Sequence, residues 1–157
     1  MTAKYCIDTS SLIHAWRRAY NPKNIVSFWA KLENAISIGD IVATKEVLTE
    51  LKKKDDDVHK WANGRPKHFW VEIDDAIQQR VVGLMTAYPR LVDTAKGRSG
   101  CDPFVIATAG TYAPCLTVIS EEGRGKRESP RIPDVCRLEK IPCVNLFDFI
   151  AEVNWTI

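Results

Sequence analysis

Short apolar runs alternate along this chain with segments whose apolar residues recur every three or four positions. The first run, 4–7, predicts a buried strand, and the spacing of Leu12, Trp16 and Tyr20 predicts a helix directly after it. By the same criteria, further strands are predicted at 41–43, 115–119 and 143–145, and further helices at 25–36, 46–51, 75–85 and 146–153. Alternating strands and helices predict an α/β fold, in which a mainly parallel sheet has helices on both faces.

Three segments carry more local signals. Lysines at 52–54 followed by aspartates at 55–57 predict a solvated helix end, because each charge sign is favourable at one helix terminus. The aromatic segment 61–71 contains helix-breaking residues, which predicts an irregular stretch packed under a loop. Asp102 followed by Pro103 predicts a helix N-cap with proline at the first helical position.

Length and composition limit the class of protein. A chain of 157 residues suffices for one domain with a core, so we take 1–157 as a single domain. No apolar run approaches the roughly 18 residues of a membrane helix, and the N-terminus lacks a signal peptide pattern, so we expect a cytoplasmic protein. Its five cysteines should then stay reduced, and without a Cys-x-x-Cys pair they do not indicate zinc. The net charge of +2 does not by itself indicate nucleic acid.

Carboxylates stand where ligands bind in such folds. Asp8 directly follows the first predicted strand, and a later strand runs into Ser120, Glu121 and Glu122. Because parallel strands end at one edge of the sheet, we expect Asp8 and Glu122 to meet there. Glu50 on the helix after the second strand, and Asp102 at a helix N-terminus, can reach the same crevice.

Four acids without histidine or cysteine indicate a hard cation. Oxygen ligands of this kind select Mg²⁺ or Mn²⁺, and crowded carboxylates are tolerated when a divalent ion neutralises them. Such an ion activates water and polarises phosphate. Hydroxyls and cations near the acids are candidates for holding water or phosphates of a nucleic acid, namely Ser10, Ser120, Arg98, Arg124, Lys126 and Arg127. The two serines are equally well explained as helix caps.

Four segments together resemble the successive motifs of PIN-domain nucleases, and their spacing covers nearly the whole chain. They are Ile7–Ser10, Val47–Leu51, Cys101–Ala109 and Ile119–Glu122. The first and third are fairly specific as a pair, whereas the second is weak alone. The fourth departs from the family, because glutamates replace the usual aspartate after serine or threonine.

The resemblance implies a three-layer α/β/α fold and a Mg²⁺- or Mn²⁺-dependent ribonuclease, with Asp8, Glu50, Asp102 and Glu122 as metal ligands. It also implies, as is common in the family, a toxin paired with an antitoxin protein in bacteria or archaea. It leaves open the target RNA, the number of metals and the oligomeric state, for which a homodimer is one candidate. Two other functions stay open: a PIN-like module that binds RNA or a partner without cutting, and an aspartyl phosphatase. The phosphatase is disfavoured because its site requires a second aspartate two residues after the nucleophile, and here that position is Ser10.

The altered fourth motif leaves two candidates for the last acid. Adjacent residues at a strand end point to opposite sides, so Glu121 and Glu122 cannot both face the metal unless the chain turns sharply. The family spacing places an acid two residues beyond the hydroxyl of Ser120, and the flexible Gly123 follows. We therefore predict that Glu122 supplies the fourth carboxylate.

Overall fold

A five-stranded sheet forms the centre of the computed structural model, which describes residues 2–92 and 100–157. The strands are β1 (Tyr5–Ile7), β2 (Ile41–Thr44), β3 (Trp70–Val71), β4 (Thr117–Ile119) and β5 (Cys143–Val144). Their order is β3-β2-β1-β4-β5, and every neighbouring pair is parallel. The prediction of a mainly parallel sheet is therefore confirmed.

The register brings the ends of the two central strands to the same level. Ile7 pairs with Ile119, and the Asp8 amide donates to the Ile119 carbonyl at 2.9 Å. The Ser120 amide in turn donates to the Val144 carbonyl at 2.9 Å. Asp8 and Ser120 therefore leave β1 and β4 side by side.

Eight α-helices connect the strands within the described residues. They are α1 (Thr9–His14), α2 (Val26–Ser37), α3 (Lys45–Lys54), α4 (Asp56–Asn63), α5 (Asp75–Ala87), α6 (Asp102–Thr111), α7 (Ile132–Leu138) and α8 (Leu146–Glu152). A π-helical segment, Ala15–Ala19, continues α1, and a 3₁₀ turn, Lys67–Phe69, precedes β3. Polar side chains cap several N-termini: the Asp74 carboxylate accepts from the Ile77 amide at 2.8 Å, and Asn145 Oδ1 accepts from the Asp148 amide at 2.8 Å.

The helices form a layer on each face of the sheet. Neighbouring residues of a strand point to opposite faces: Cys6 Sγ donates to the Val105 carbonyl of α6, whereas the Tyr5 ring packs edge-on against Phe149 of α8. Helix α6 is buried along most of its length and packs against β1, β2 and β4. The fold is therefore α/β/α, as predicted.

The structure corrects three local predictions. The segment 61–71 is not irregular throughout, because it contains the end of α4 and the edge strand β3. Asp102 is the first residue of α6 rather than its N-cap: Cys101 precedes it with φ −72° and ψ −33°, which is already helical backbone. The 52–57 segment is not simply solvated, because Asp55 is buried and pairs with Arg17.

No helix in the described ranges is long and apolar enough to cross a membrane.

Candidate active site

Asp8 lies at the carboxyl end of β1 with only 2% of its surface exposed. Its Oδ1 accepts from the Thr9 amide at 2.7 Å, and its Oδ2 accepts from the hydroxyls of Ser10 at 2.7 Å and Ser120 at 3.1 Å. Burial raises the pKa of Asp8, and these hydrogen bonds oppose the rise. The carboxylate is therefore held in one orientation although its charge is costly.

The two serines join the ends of β1 and β4. Ser10 Oγ accepts from the Glu121 amide at 3.1 Å, and Ser120 Oγ accepts from the Glu122 amide at 3.2 Å. Each hydroxyl thus connects a backbone amide after β4 to the Asp8 carboxylate. Their role in orienting Asp8 is visible in the structure, whereas contact with a substrate stays a prediction.

Glu50 reaches the same region from α3 and is 9% exposed. Its Oε1 lies 3.7 Å from Lys54 Nζ, one helical turn further on, and its buried Oε2 has no hydrogen-bond partner in the described structure. The buried Thr9 Oγ1 lies near Glu50 and also has no hydrogen-bond partner there. Burial nonetheless raises the pKa of Glu50, and the charge of Asp8 raises it further.

Asp102 sits at the start of α6 and is 4% exposed. Burial raises its pKa to about 9, with further contributions from the negative charges of Glu122, Asp8 and Glu50, while Lys54 acts in the opposite direction. Asp102 therefore interacts electrostatically with each of the other three predicted acids.

Glu121 and Glu122 have different surroundings. Glu121 Oε1 accepts from the Leu146 amide at the start of α8 at 2.7 Å, and its Oε2 lies 3.9 Å from His14 Nε2. Glu122 Oε2 accepts from the Ile132 amide at 3.3 Å, and its charge acts on Asp102. The two side chains thus make different contacts: Glu121 accepts a hydrogen bond at the N-terminus of α8, whereas the charge of Glu122 acts on Asp102.

The donor chemistry fits a divalent cation. Within 2–92 and 100–157, no three acidic, histidine or cysteine side chains converge tightly enough to enclose an ion as they stand. However, Asp8, Glu50 and Asp102 are buried, all three have raised pKa values, and Glu50 Oε2 is an orphaned buried acceptor. A cation near these oxygens would satisfy the acceptor and offset the cost of burying the charges.

A groove of about 420 Å³ opens beside Glu50 and leads to the N-terminal end of α6. Glu46, Thr49, Lys53 and Lys54 line it on α3, and Cys101 and Phe104 line it on the other side. This groove is large enough to admit part of a substrate to the acids.

The predicted phosphate-binding cations lie after β4. Arg124, Lys126 and Arg127 are exposed on the loop that follows Glu122. Arg98 lies outside the described residues. The loop therefore carries exposed positive charge directly after Glu122, and its contact with phosphates stays a prediction.

Sequence reasoning missed two residues at the site. Lys54 was assigned to a solvated helix end, yet its ammonium group pairs with Glu50; the spacing of four residues between them was the available signal. Thr9 was considered only as a cap, but its buried hydroxyl faces Glu50. No local pattern could have indicated this, since the contact joins α1 to α3.

Comparison with known families identifies the chain. The family model described as DUF4411, a domain of unknown function, matches residues 5–157. The chain belongs to the DUF4411 family. A comparison with curated proteins gives no match.

Solved structures relate the DUF4411 chain to a known fold. VapBC from Salmonella typhimurium, bound to DNA, has a TM-score of 0.55 at 14% identity, covering 92% of this chain and 98% of that one. VapBC2 from Rickettsia felis, bound to a DNA fragment from its promoter, has a TM-score of 0.54 at 16% identity, covering 90% and 97%. FitAcB from Neisseria gonorrhoeae has a TM-score of 0.53 at 14% identity, covering 90% and 96%.

These similarities concern the fold, because the sequences are only distantly alike. The structures are toxin–antitoxin complexes whose toxin is a PIN domain. The DUF4411 chain therefore has a PIN-like α/β/α fold, which confirms the resemblance drawn from its four motifs.

Proposed function

We propose that this chain is a metal-dependent endoribonuclease that hydrolyses RNA phosphodiester bonds. The observation that carries the proposal is the group of buried carboxylates at the strand ends, whose pKa values are raised by burial and by one another. Burying several acids together is costly, and their arrangement is explained if it serves a divalent cation. The PIN-like fold supports the choice of a nuclease.

Asp8, Glu50, Asp102 and Glu122 would hold one or two Mg²⁺ or Mn²⁺ ions. Such ions, when bound, activate water and stabilise charge on a phosphate. Ser10 and Ser120 fix the Asp8 carboxylate through their hydroxyls, so this ligand is oriented before an ion arrives. Lys54 supplies positive charge beside Glu50 and can shift toward a substrate phosphate when its partner is engaged.

An antitoxin protein is the partner we propose, since the solved structures of similar fold are toxin–antitoxin complexes. The reaction belongs in the cytoplasm, where cellular RNA is available. A non-cleaving RNA- or partner-binding module is the second candidate, and the glutamate in the fourth motif favours it over a further enzyme class.

Cleavage by purified protein decides between the two candidates. We expect single-stranded RNA to be cut in the presence of Mn²⁺ or Mg²⁺, with no cutting after chelation by EDTA. RNA binding without metal-dependent cutting, in a preparation free of contaminating nuclease, would establish the binding module instead.

The basic loop is tested by binding. Replacing Arg124, Lys126 and Arg127 together with glutamine should weaken binding nearly uniformly across RNA sequences and flatten its salt dependence, as lost phosphate contacts do. A matched triple variant at the exposed Arg18, Lys23 and Lys60 should change the salt slope less. An equal slope in the two variants would show that the loop is merely solvated.

A further inference from the structure

A second groove, of about 460 Å³, is bordered by the basic loop that follows Glu122. We call it the hairpin groove; its walls are Tyr88 at the end of α5, Lys126, Arg127 and Pro130 of the loop, and Arg137 and Leu138 of α7. The basic loop that borders it begins three residues after Glu122, so the groove is close in sequence to this proposed metal ligand.

The loop has a defined conformation. Asp134 Oδ2 accepts from the Gly125 amide at 2.6 Å and from the Arg131 amide at 2.9 Å, which fastens both ends of the loop to α7. Between them, the Ser129 amide donates to the Lys126 carbonyl at 3.0 Å. A Cβ at Gly125 would clash with the Ser129 carbonyl oxygen, so only glycine fits this close approach. The groove is therefore formed before a ligand binds.

The groove also has an apolar part. Leu138 is 57% exposed, and the Tyr88 ring is held by a 2.7 Å hydrogen bond from its hydroxyl to Glu139 Oε2. A fixed aromatic ring beside an exposed leucine offers a flat apolar surface of the kind on which bases stack.

Cations surround this apolar surface. Lys126, Arg127 and Arg137 are exposed, and within the described residues none of them forms an ion pair. The acid in the groove wall, Asp134, already accepts from two backbone amides. Arg137 also borders an adjacent groove of about 330 Å³ with Arg124, so the positive surface continues along α7.

From this combination we propose that the hairpin groove binds one unpaired nucleotide of the RNA substrate, its base against Tyr88 and Leu138 and its phosphates near Lys126, Arg127 and Arg137. The inference rests on the proposed ribonuclease function and assigns one part of its RNA site, because a base must be unpaired and unstacked to enter such a groove. It adds Tyr88, Arg137 and Leu138 to the residues that bind substrate.

The test measures binding without cleavage. A labelled oligouridine of about eight nucleotides and an abasic ribose-phosphate chain of equal length are titrated with protein in EDTA. The wild type should prefer oligouridine, and Leu138→Ser should reduce that preference by about fivefold or more, since the change removes only contact with the base. Phe147→Ser, at another exposed apolar residue, is the matched control and should retain the preference.

Variants at Tyr88 and Arg137 separate contact with the base from contact with the phosphates. Tyr88→Phe keeps the ring and should retain the preference, whereas Tyr88→Ala should lose it. Arg137→Gln should lower the salt slope for both oligomers by about 0.7, whereas Arg18→Gln should not.

Equal affinity of the wild type for both oligomers, or an unchanged preference in Leu138→Ser, would overturn the groove assignment. These results are independent of catalysis, because Mn²⁺-dependent cleavage is measured separately. A protein that shows the base preference but cuts no RNA would refute the nuclease and leave the groove assignment standing.

Discussion

Two groups of buried carboxylates in this chain have opposite surroundings. Asp55 is buried between α3 and α4, and Arg17 holds it with two hydrogen bonds of 2.7 Å while also reaching Asp57 at 2.9 Å. The Arg17 guanidinium lowers the pKa of Asp55. At the candidate active site, Asp8 and Asp102 have raised pKa values.

The opposite pKa shifts distinguish a carboxylate that stabilises the fold from carboxylates that we assign to the active site. Asp55 also accepts from the Val58 amide at 3.2 Å and so caps α4, which explains its burial within the fold itself. Within 2–92 and 100–157, Lys54 lowers the pKa values of Glu50 and Asp102, but burial outweighs it and both values stay raised. Raised pKa values of this kind are typical of functional sites, which agrees with the proposed role of these acids in binding a cation.

The largest expected effect is on cleavage. Asp8→Asn and Asp102→Asn should each reduce cleavage by more than about 100-fold, since losing a ligand costs more than losing an outer-shell partner. The fold should survive, because asparagine has the shape of aspartate and the serine hydroxyls can reorient. Mn²⁺-dependent cleavage and the melting temperature are measured together. Asp57→Asn, in the paired group, is the control; activity near the wild-type level in Asp8→Asn would rule out its metal role.

A smaller loss of cleavage is expected at Glu122. A glutamate is one methylene longer than aspartate and can reach an ion through a bound water, so Glu122→Gln should have a weaker effect than Asp8→Asn. Glu121→Gln should matter less again, because the amide oxygen of glutamine can still accept from Leu146. The two variants are assayed side by side, and a larger defect in Glu121→Gln would reverse the assignment.

The pH dependence of stability should differ in sign between the two groups. A raised pKa means that folded Asp102 binds a proton more tightly than unfolded Asp102, so the free energy of unfolding without metal should fall between about pH 4 and pH 9. Its slope is at most about 1.4 kcal/mol per pH unit for this group. Asp55, with its lowered pKa, stabilises the fold above about pH 4 and loses that effect as the pH falls.

Chemical denaturation of the metal-free protein across this range measures both effects. Asp102→Asn should reduce the decline in the free energy of unfolding as the pH rises, whereas Asp55→Asn should reduce the loss of that free energy as the pH falls. The stabilisation by Mn²⁺ should grow with pH, because the ligands must lose their protons to bind. A decline of equal slope in Asp102→Asn would place its origin elsewhere.

The smallest effect concerns the paired group alone. Asp55→Ala should lower the free energy of unfolding by about 1 kcal/mol through loss of the α4 cap, and further through loss of the Arg17 contact. Asp55→Asn keeps the cap and should cost less. Both variants should retain full cleavage activity at temperatures where they are folded. A loss of cleavage in either folded variant would contradict the purely structural role of Asp55.

The sequence by itself determined the alternation of strands and helices and the place of Asp8 directly after β1. These features follow from local periodicity, in which burial of one face imposes a repeat of two or about 3.6 residues. The edge strand β3 was not predicted, because a strand of two residues, Trp70–Val71, is too short to show an alternation of apolar and polar positions. The helix start near Asp102 was placed one residue late, since Cys101 has a helical backbone that its residue type does not reveal.

The tertiary structure decided which polar groups meet. Ser120 reaches Asp8 across 112 positions, and Arg17 reaches Asp55 across 38, so neither contact leaves a local pattern. The same applies to the hairpin groove, which is lined by both Tyr88, directly after α5, and Leu138 of α7. The sequence specifies which residues can donate or accept hydrogen bonds and which carry charge. Their pKa values, however, depend on burial and on neighbours that only the folded chain brings together.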